Sequence, residues 1–219
     1  MPNQTFFNLL DEKREQILQV AIDEFAANDY DSASISRIVA RAGIAKGSFY
    51  QYFADKEDLY GYLLGLLAEA KTRFLSLDHP DPEHIGIFAY LRWTIEVGLA
   101  FALSYPKLTQ IGLRALNAGK FPKAFDVQVR EATLAFYQQL VEAGKQQGDI
   151  AADIDSELAA VIFDATLNAV GRYILEWVTR EGDIAGPESR ACLEHPEVKA
   201  AFAQTVSILE HGLGRCVSR

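Results

Sequence analysis

Between residues 45 and 56 the chain carries a run of hydrogen-bonding side chains around two phenylalanines. Phe49 and Phe53 stand four residues apart, which predicts that both face the interior from one side of a short helix. On the outward arc, Gln51 could pair with adenine through two hydrogen bonds, and Lys46 could reach guanine or phosphate. Serine and tyrosine hydroxyl groups could hold phosphates, and a glycine would let the backbone approach closely. The residues expected on the outward arc or at its edges are Lys46, Gly47, Ser48, Tyr50, Gln51 and Tyr52.

A second short helix is predicted just before this one. Its apolar positions recur at helical spacing and are Ile35, Ile38, Val39 and Ala42. Gly43 is expected to end the helix, because glycine readily adopts a positive φ just past a helix end. Ser34 is expected to cap the start of this helix, and Asp55 the start of the one after the pair. Two short helices joined by a glycine turn are typical of a helix-turn-helix, whose second helix lies in the DNA major groove.

From Gly43 to Leu59 the chain reads GIAKGSFYQYFADKEDL, which closely resembles the signature of TetR-type transcriptional regulators. The resemblance implies an all-helical homodimeric repressor with a small N-terminal DNA-binding domain and a larger C-terminal domain that binds a ligand and dimerises. It also implies that Tyr50, Tyr52 and Lys56 act mainly on phosphates. One departure is Ala45, where the family often has Ser or Thr, and losing that cap hydroxyl costs roughly 1 kcal/mol. The predicted DNA-binding residues are Ser34, Arg37, Ala45, Lys46, Gly47, Ser48, Tyr50, Gln51, Tyr52 and Lys56.

The charge of the chain is compatible with DNA binding only within one segment. The 219 residues carry a formal net charge of −9, whereas DNA affinity depends largely on neutralising phosphates. Residues 33–56 are the exception, because their only acid, Asp55, stands against the cations Arg37, Arg41, Lys46 and Lys56. A small basic face on an acidic body predicts modest non-specific binding and a need for two copies of the motif.

Composition indicates an ordinary soluble protein, with 49 % hydrophobic and 23 % charged residues. The longest apolar segments, 59–68 and 97–106, are too short to span a bilayer. The two cysteines form no disulfide framework, which fits a reducing compartment, and a cytoplasmic location is expected.

The predicted fold class is all-α, with about nine helices. Residues 1–54 are expected to form the helix-turn-helix DNA-binding domain, residues 55–77 a connecting helix, and residues 78–219 the ligand-binding and dimerisation domain. Residues 1–10 are expected to be a loose arm. The prolines at 80 and 82 are predicted to end the connecting helix. Helices beyond them are expected at about 83–104, 107–116, 122–144, 157–180 and 196–212, with a long loop at 181–194.

Two apolar stripes predict the dimer interface. One consists of Val198, Phe202, Thr205, Leu209 and Gly212, a narrow seam suited to another helix. The other consists of Leu158, Ile162, Ala165, Ala169 and Tyr173. Two such helices from each subunit could form an isologous four-helix interface. The alternative is that both stripes pack inside one subunit.

A ligand site is predicted in the C-terminal part. The polar residues Asp164, Asn168, Arg172 and Glu176 recur at every fourth position of an otherwise apolar segment. They could form a solvent face with pairs such as Asn168 and Arg172, contact the partner subunit, or line a cavity. The candidate apolar walls are Trp93, Phe101, Phe136 and Tyr137, each of which could equally be plain core.

These patterns favour a repressor that a small hydrophobic or amphipathic ligand releases from a palindromic operator. An alternative is a DNA-binding protein of the same fold that answers to a protein partner or has no small-molecule ligand. A helical enzyme is a more distant alternative, because His79, His84, His195 and His211 lack the spacing of a metal site. No catalytic residue, metal or cofactor is expected.

Overall fold

The structure is a computed structural model that describes residues 2–76, 79–119, 123–181 and 194–213. These residues form eleven α-helices and no β-strand, which confirms the predicted all-helical class. The helices are α1 Gln4–Phe7, α2 Asp11–Ala27, α3 Ile35–Arg41, α4 Lys46–Tyr52, α5 Lys56–Leu75, α6 Pro82–Ile85, α7 Ile87–Ser104, α8 Pro106–Ala118, α9 Lys123–Gln147, α10 Ser156–Glu181 and α11 Pro196–Leu213.

The chain divides into two compact units. The first unit comprises Met1–Phe74 and Tyr105–Asp126, and the second comprises Leu75–Ser104 and Val127–Arg219. Helix α8 therefore belongs to the first unit, where Ile111 and Ala115 are buried in its core. The domain limits expected at residues 54 and 77 concern function, and they stay a prediction.

The turn between α3 and α4 is set by Gly43. This glycine has a φ of 62°, and the Ile44 amide donates to the carbonyl of Val39 at 3.0 Å while the Gly43 amide donates to Ala40 at 3.3 Å. This pair of hydrogen bonds is the Schellman motif, which satisfies the last carbonyls of a helix. The predicted role of Gly43 as the end of α3 is confirmed.

The predicted caps are also present. The Ser34 hydroxyl accepts from the Arg37 amide at 3.4 Å at the start of α3. At the start of α5, the Asp55 carboxylate accepts from the Asp58 amide at 2.8 Å, and the Asp58 carboxylate accepts from the Ala54 amide at 3.0 Å. The helices before and after α4 in the sequence, α3 and α5, thus begin at fixed residues.

A buried carboxylate joins α2 to α3. Glu24 is only 3 % exposed, and its Oε1 accepts from Arg37 Nε at 2.8 Å and Nη2 at 2.5 Å, and from the Ser34 amide at 3.0 Å. Burial raises the pKa of Glu24, but the hydrogen bonds and charge of Arg37 and the Ser34 amide outweigh burial and lower it below its ordinary value. Glu24 is therefore a fixed anion that orients the helix-turn-helix on α2.

The prediction of a loose arm at residues 1–10 is wrong. Residues 4–7 form α1, and the Phe6 side chain is fully buried. Its ring lies 4.8 Å from that of Phe53 and 6.0 Å from that of Tyr52. Burying an aromatic ring outweighs the entropy cost of ordering a short segment.

In the second unit, the helix predicted at 83–104 is two helices. Gly86 has a φ of 83° and separates α6 from α7, which the carboxylate of Asp149 caps by accepting from the Ile87 amide at 3.0 Å. A residue so distant in sequence cannot be foreseen from local patterns. Helix α9 begins at Lys123. Pro122, the predicted first residue of this helix, lies outside the described residues, and so do residues 182–193, which make up most of the predicted loop.

Helix α7 is longer than either apolar segment singled out from the sequence. By length and composition alone Ile87–Ser104 could cross a membrane, with a mean hydropathy of 1.3, but half of it is buried inside the protein. Its residues Ile87, Tyr90 and Leu91 pack in the core of the second unit. Because core helices pass the same test, we assign α7 to that core.

Replacing Gly43 with Ala should lower the free energy of unfolding by about 1–2 kcal/mol, since a Cβ disfavours positive φ. No atom lies within 4 Å of the added Cβ, so the cost is one of backbone conformation alone. Gly43→Asn should cost less, because asparagine tolerates this region better. The matched control is Gly47→Ala, which also meets no atom within 4 Å but lies in a helix and should not destabilise. Urea unfolding of the variants measures this, and equal effects at both glycines would contradict it.

Replacing Glu24 with Gln should lower the free energy of unfolding at neutral pH by about 1–3 kcal/mol, because buried hydrogen bonds to a charged group are lost or weakened. Since the folded pKa is lowered, this stability is present above the ordinary value of 4.5 and is lost as the pH falls through the folded value. Urea unfolding between pH 7 and pH 3 should show that the difference in the free energy of unfolding between the wild type and Glu24→Gln shrinks as the pH falls. The control is Glu15→Gln on the exposed side of α2, and a difference that persists at low pH would contradict the assignment.

Candidate nucleic-acid interface

Helix α4 presents the polar surface predicted for it. Phe49 and Phe53 are fully buried, as predicted, and hold the helix against the core of the first unit. Tyr50 is 48 % exposed, its ring standing edge-on to Phe49 at 5.3 Å. The other exposed residues at the start and on the outer side of α4 are Ala45, Lys46, Gly47 and Gln51, and Ser48 is half-buried. Side chains able to bind bases and phosphates thus share one accessible face.

Tyr52 is not on this face. Its side chain is only 9 % exposed, because residues 49 and 52 share the inward side of α4 and the Tyr52 ring packs near Phe6. The expectation that Tyr52 lies on the outward arc is wrong. A phosphate contact by its hydroxyl group stays a prediction.

Gly47 is not required by the fold of the protein itself. Its φ is not positive, and a Cβ added to it would meet no atom within 4 Å. The missing side chain instead leaves open space beside the backbone of α4 on the exposed face, where a bound molecule could approach closely. Ala45, the residue before α4, makes no side-chain cap, as its type predicts.

The ammonium of Lys56 is held by the protein. Its Nζ donates to the carbonyls of Tyr30 at 2.7 Å, Ala33 at 3.1 Å and Asp31 at 3.3 Å, and it lies 4.6 Å from the centre of the Tyr30 ring. These contacts join the start of α5 to the segment between α2 and α3. In this structure Lys56 therefore positions the helix-turn-helix, and its phosphate contact stays a prediction.

The remaining cations of residues 33–56 differ in their availability. Arg37 is paired with Glu24, and Arg41 with Asp23 at 3.2 Å. Asp23 also accepts from Lys107 of α8 at 2.7 Å, and its pKa is lowered because this bond and its cations outweigh partial burial. Lys46 is exposed and has no hydrogen bond or ion pair within the part of the chain that the structure describes. The basic excess counted from the sequence is thus largely neutralised, and Lys46 is the cation most available to a phosphate.

The predicted ligand walls are only partly brought together. In the second unit, the ring of Tyr90 lies 5.4 Å from Trp93 and 6.3 Å from Phe136, and Phe136 lies 5.4 Å from Tyr137. Phe101 is buried on the same helix as Trp93. Sequence reasoning missed Tyr90, although it stands three residues before Trp93 and so shares its helix face.

Polar groups border this aromatic cluster. The Tyr90 hydroxyl is 2.8 Å from His79 Nε2, and burial raises the pKa of Tyr90. Burial and then the nearby Asp164 carboxylate raise the pKa of Tyr137. Asn168 donates to Asp164 at 2.8 Å, which is an i, i+4 pair within the predicted polar stripe. Arg172 is half-buried on the same helix.

A groove of about 300 Å³ lies elsewhere in the second unit, between α10 and α11. Its lining residues are Tyr173, Ile174, Trp177, Glu197, Val198, Ala200, Ala201 and Gln204. None of the predicted ligand residues lines it.

Metal ligands are not grouped either, since no three His, Cys, Asp or Glu side chains converge within residues 2–76, 79–119, 123–181 and 194–213.

The two stripes predicted for dimerisation differ. On α10, Leu158 and Tyr173 are 59 % and 61 % exposed, Ala165 and Ala169 are also exposed, and Ile162 is half-buried. An apolar face of this kind is suited to a partner.

On α11 the prediction is wrong for most residues, because Val198, Phe202, Thr205 and Leu209 are buried within the subunit. Val198 and Phe202 pack with Leu99 of α7 and Ile174 of α10, and Leu209 packs in the cluster that contains Leu91 of α7. Gly212 alone of the stripe is exposed, and Ile208, which lies beside the stripe on α11, is 72 % exposed.

Two family models match the chain. The model of bacterial regulatory proteins of the tetR family matches residues 17–63, and that of the tetracyclin repressor-like C-terminal domain matches residues 85–214. The first match contains α3 and α4 with parts of α2 and α5. The second contains α7 to α11.

Individual proteins agree with these matches. A TetR family transcriptional regulator from Chloroflexus aurantiacus J-10-fl is 41 % identical, with a TM-score of 0.79, over 98 % of this chain and 99 % of that one. The fatty acid degradation regulator FadR from Bacillus halodurans shares the fold at 21 % identity and a TM-score of 0.63, over 91 % of this chain and 98 % of its own. The transcriptional repressor BepR of Brucella suis biovar 1 is 27 % identical over 180 residues, which are 78 % of this chain and 82 % of BepR.

The C-terminal match alone spans more than half of the chain, and the Chloroflexus protein is similar over almost its whole length. The exposed polar face of α4 lies within the N-terminal match. The chain belongs to the TetR family of bacterial regulatory proteins and is a DNA-binding transcriptional regulator.

Proposed function

We propose that this regulator is a homodimeric repressor that binds a palindromic operator with α4 of each subunit and is released by a small-molecule ligand. The observation that most strongly supports α4 as the DNA-binding helix is its exposed face, which lies above the buried Phe49 and consists of Lys46, Gly47, Tyr50 and Gln51. Repression is supported by the relative BepR, which is named a transcriptional repressor. Such a protein is expected in the cytoplasm, where bacterial DNA lies.

Each residue of this face has a distinct proposed role. Gln51 reads adenine through its amide, and Lys46 reaches guanine or phosphate. Tyr50 and Ser48 donate hydroxyl groups to phosphates and fix the register, while Gly47 allows the backbone to come close. Two-fold symmetry then requires half-sites about 34 Å apart, or a multiple of that distance.

Three other predicted DNA contacts have a different proposed role. Ser34 caps α3, Arg37 is paired with Glu24, and Lys56 is held by three carbonyls. These residues position the helix-turn-helix from inside the first unit. Any phosphate contact that they make adds to this role.

Dimerisation is proposed to use the exposed face of α10. Leu158, Val161, Ala165, Ala169 and Tyr173 are exposed along this helix, and burying apolar side chains is the main driving force of association. The exposed Ile208 of α11 is proposed to join them. The buried seam of α11 serves the core of the subunit.

The ligand is proposed to be small and hydrophobic or amphipathic. The aromatic cluster of Tyr90, Trp93, Phe136 and Tyr137 would bind its apolar part, with Asp164 and its neighbours beside it. Two relatives are named for fatty acid metabolism or degradation, which fits an amphipathic ligand. A ligand that prefers the conformation with wrongly spaced recognition helices lowers operator affinity by its differential affinity for the two states.

The test of the DNA-reading role is selection of bound sequences from a random DNA pool with the full-length protein at physiological salt. We expect an enriched palindrome. No enrichment with the purified protein, and none when cell extract supplies small molecules, would contradict a sequence-specific regulator.

Replacing Tyr50 with Ala should weaken binding to the selected operator about tenfold and equally for all related sequences, because a phosphate contact carries no base information. Gln51→Ala should instead relax the preference at one base pair of each half-site, by about 1–3 kcal/mol of discrimination. Titrations against operators with single base-pair changes measure both effects. The control is Gln19→Ala on α2, an exposed amide outside α4. If both α4 variants bind like the wild type, the recognition helix is wrongly assigned.

Replacing Tyr173 with Glu should weaken dimerisation at least tenfold, or about 1.4 kcal/mol, because a charge would be buried on the apolar face of α10. Analytical ultracentrifugation over a range of concentrations measures the dissociation constant. The matched control is Leu116→Glu, which charges an exposed apolar position of α8 in the first unit. A dimer unchanged by Tyr173→Glu would contradict the proposed interface.

A further inference from the structure

We propose that residues 2–10, here called the N-terminal arm, position the recognition helix α4 and thereby determine how sharply it discriminates between bases. The proposal rests on the proposed DNA-reading role of α4. It concerns a segment that lies before residue 17, where the match to the family model begins.

Helix α4 needs support from outside itself. It has only seven residues, and an isolated helix of that length is not stable in water. Its first residue is preceded by Ala45, which offers no side-chain cap, and its last carbonyls point beyond the helix. The conformation of Gln51, in its last turn, therefore depends on what holds the C-terminal end.

Asn3 of the arm holds that end. Its backbone amide donates to the carbonyl of Tyr52 at 2.8 Å, and its side-chain Nδ2 donates to the carbonyl of Gln51 at 3.2 Å. These carbonyls belong to the last turn of α4, which lacks partners within the helix. One of them belongs to the residue proposed to read adenine.

Phe6 anchors the arm to the same end of α4. Its ring is fully buried and lies 4.8 Å from Phe53, 6.0 Å from Tyr52 and 5.9 Å from Tyr62 of α5. A ring in this place sets the distance between the end of α4 and α5. Displacing it would let the last turn of α4 shift or fray.

The arm is fixed at its other end to α2. Arg14 Nη1 donates to the carbonyls of Phe7 and Leu9, each at 3.3 Å. The neighbouring Lys13 donates to the carbonyl of Ala42, at the end of α3, at 2.9 Å. Asn3 and Phe6 of the arm thus hold the C-terminal end of α4, and Lys13 of α2 holds that of α3.

Charge favours positioning over direct DNA contact. No Lys or Arg occurs before Lys13, so the side chains of the arm neutralise no phosphate. An effect of the arm on DNA binding should therefore act on base discrimination and leave the salt dependence of affinity unchanged, because that dependence counts neutralised phosphates.

The test compares Asn3→Ala and Phe6→Leu with two controls in the full-length protein. Gln4→Ala removes an exposed side chain of α1 that bonds only to Asn8 among the described contacts. Ile17→Val trims a buried residue of α2 and lowers stability while the residues of the arm stay unchanged. The first measurement is amide hydrogen exchange of Tyr52 and Phe53 without DNA. The second is the ratio of affinities for the selected operator and for operators changed at the base pair that Gln51 reads.

We expect Asn3→Ala and Phe6→Leu to exchange these amides about tenfold faster, while core amides of α2 keep their rates. The discrimination ratio should fall about three- to tenfold at an unchanged salt slope, and both controls should keep the wild-type ratio. Wild-type exchange in both arm variants would overturn the proposal. So would a salt slope reduced by about one, which would indicate direct phosphate contact.

The exchange measurement separates this proposal from the function on which it rests. If the wild type selects no DNA sequence, the proposed function fails, and faster exchange in the arm variants would still support positioning of α4. Unchanged exchange would then overturn the arm proposal as well.

Discussion

The helix that carries the exposed polar face is too short to be stable alone, and this constraint shapes the whole first unit. Seven residues cannot offset the entropy of helix nucleation, so α4 exists only where its neighbours hold it. Phe49 and Phe53 bind its inner side to the core, and the Gly43 turn fixes its start. The exposed residues of α4 can therefore be polar, because its buried residues and the turn before it hold the helix.

The charges of the first unit follow from the same constraint. Glu24 holds α3 through Arg37 and Ser34, and Lys56 holds the segment before α3 through three carbonyls. Cations that could have bound phosphate are thereby used to fix geometry. Lys46, which has no such contact in the described part of the chain, stays available, and one available cation among residues 33–56 of each subunit is consistent with a regulator that needs two copies to bind well.

Local patterns were sufficient to predict the parts of the site that depend on neighbours in sequence. The four-residue spacing of Phe49 and Phe53, the positive φ of Gly43 and the Ser34 cap follow from helix geometry and residue type alone, and the structure has all three. The DNA contacts of α4 stay a prediction from residue type and exposure.

What local patterns could not supply are partners distant in sequence. The burial of Tyr52 depends on Phe6, which lies more than forty residues away, and the start of α7 depends on Asp149. The seam of α11 has the spacing of a helix contact, but spacing does not say whether the contact lies within one subunit or between two. Only the packing of Phe202 against the core of the second unit decides this.

The exposed face of α4 is proposed to read DNA. The most direct measurement is a titration of isotope-labelled protein with the selected operator, followed through the backbone amide signals in NMR spectra. We expect the largest shifts at residues 45–51, with small shifts on the exposed face of α10. Large shifts confined to other surfaces, with the signals of residues 45–51 unmoved at saturating DNA, would contradict it.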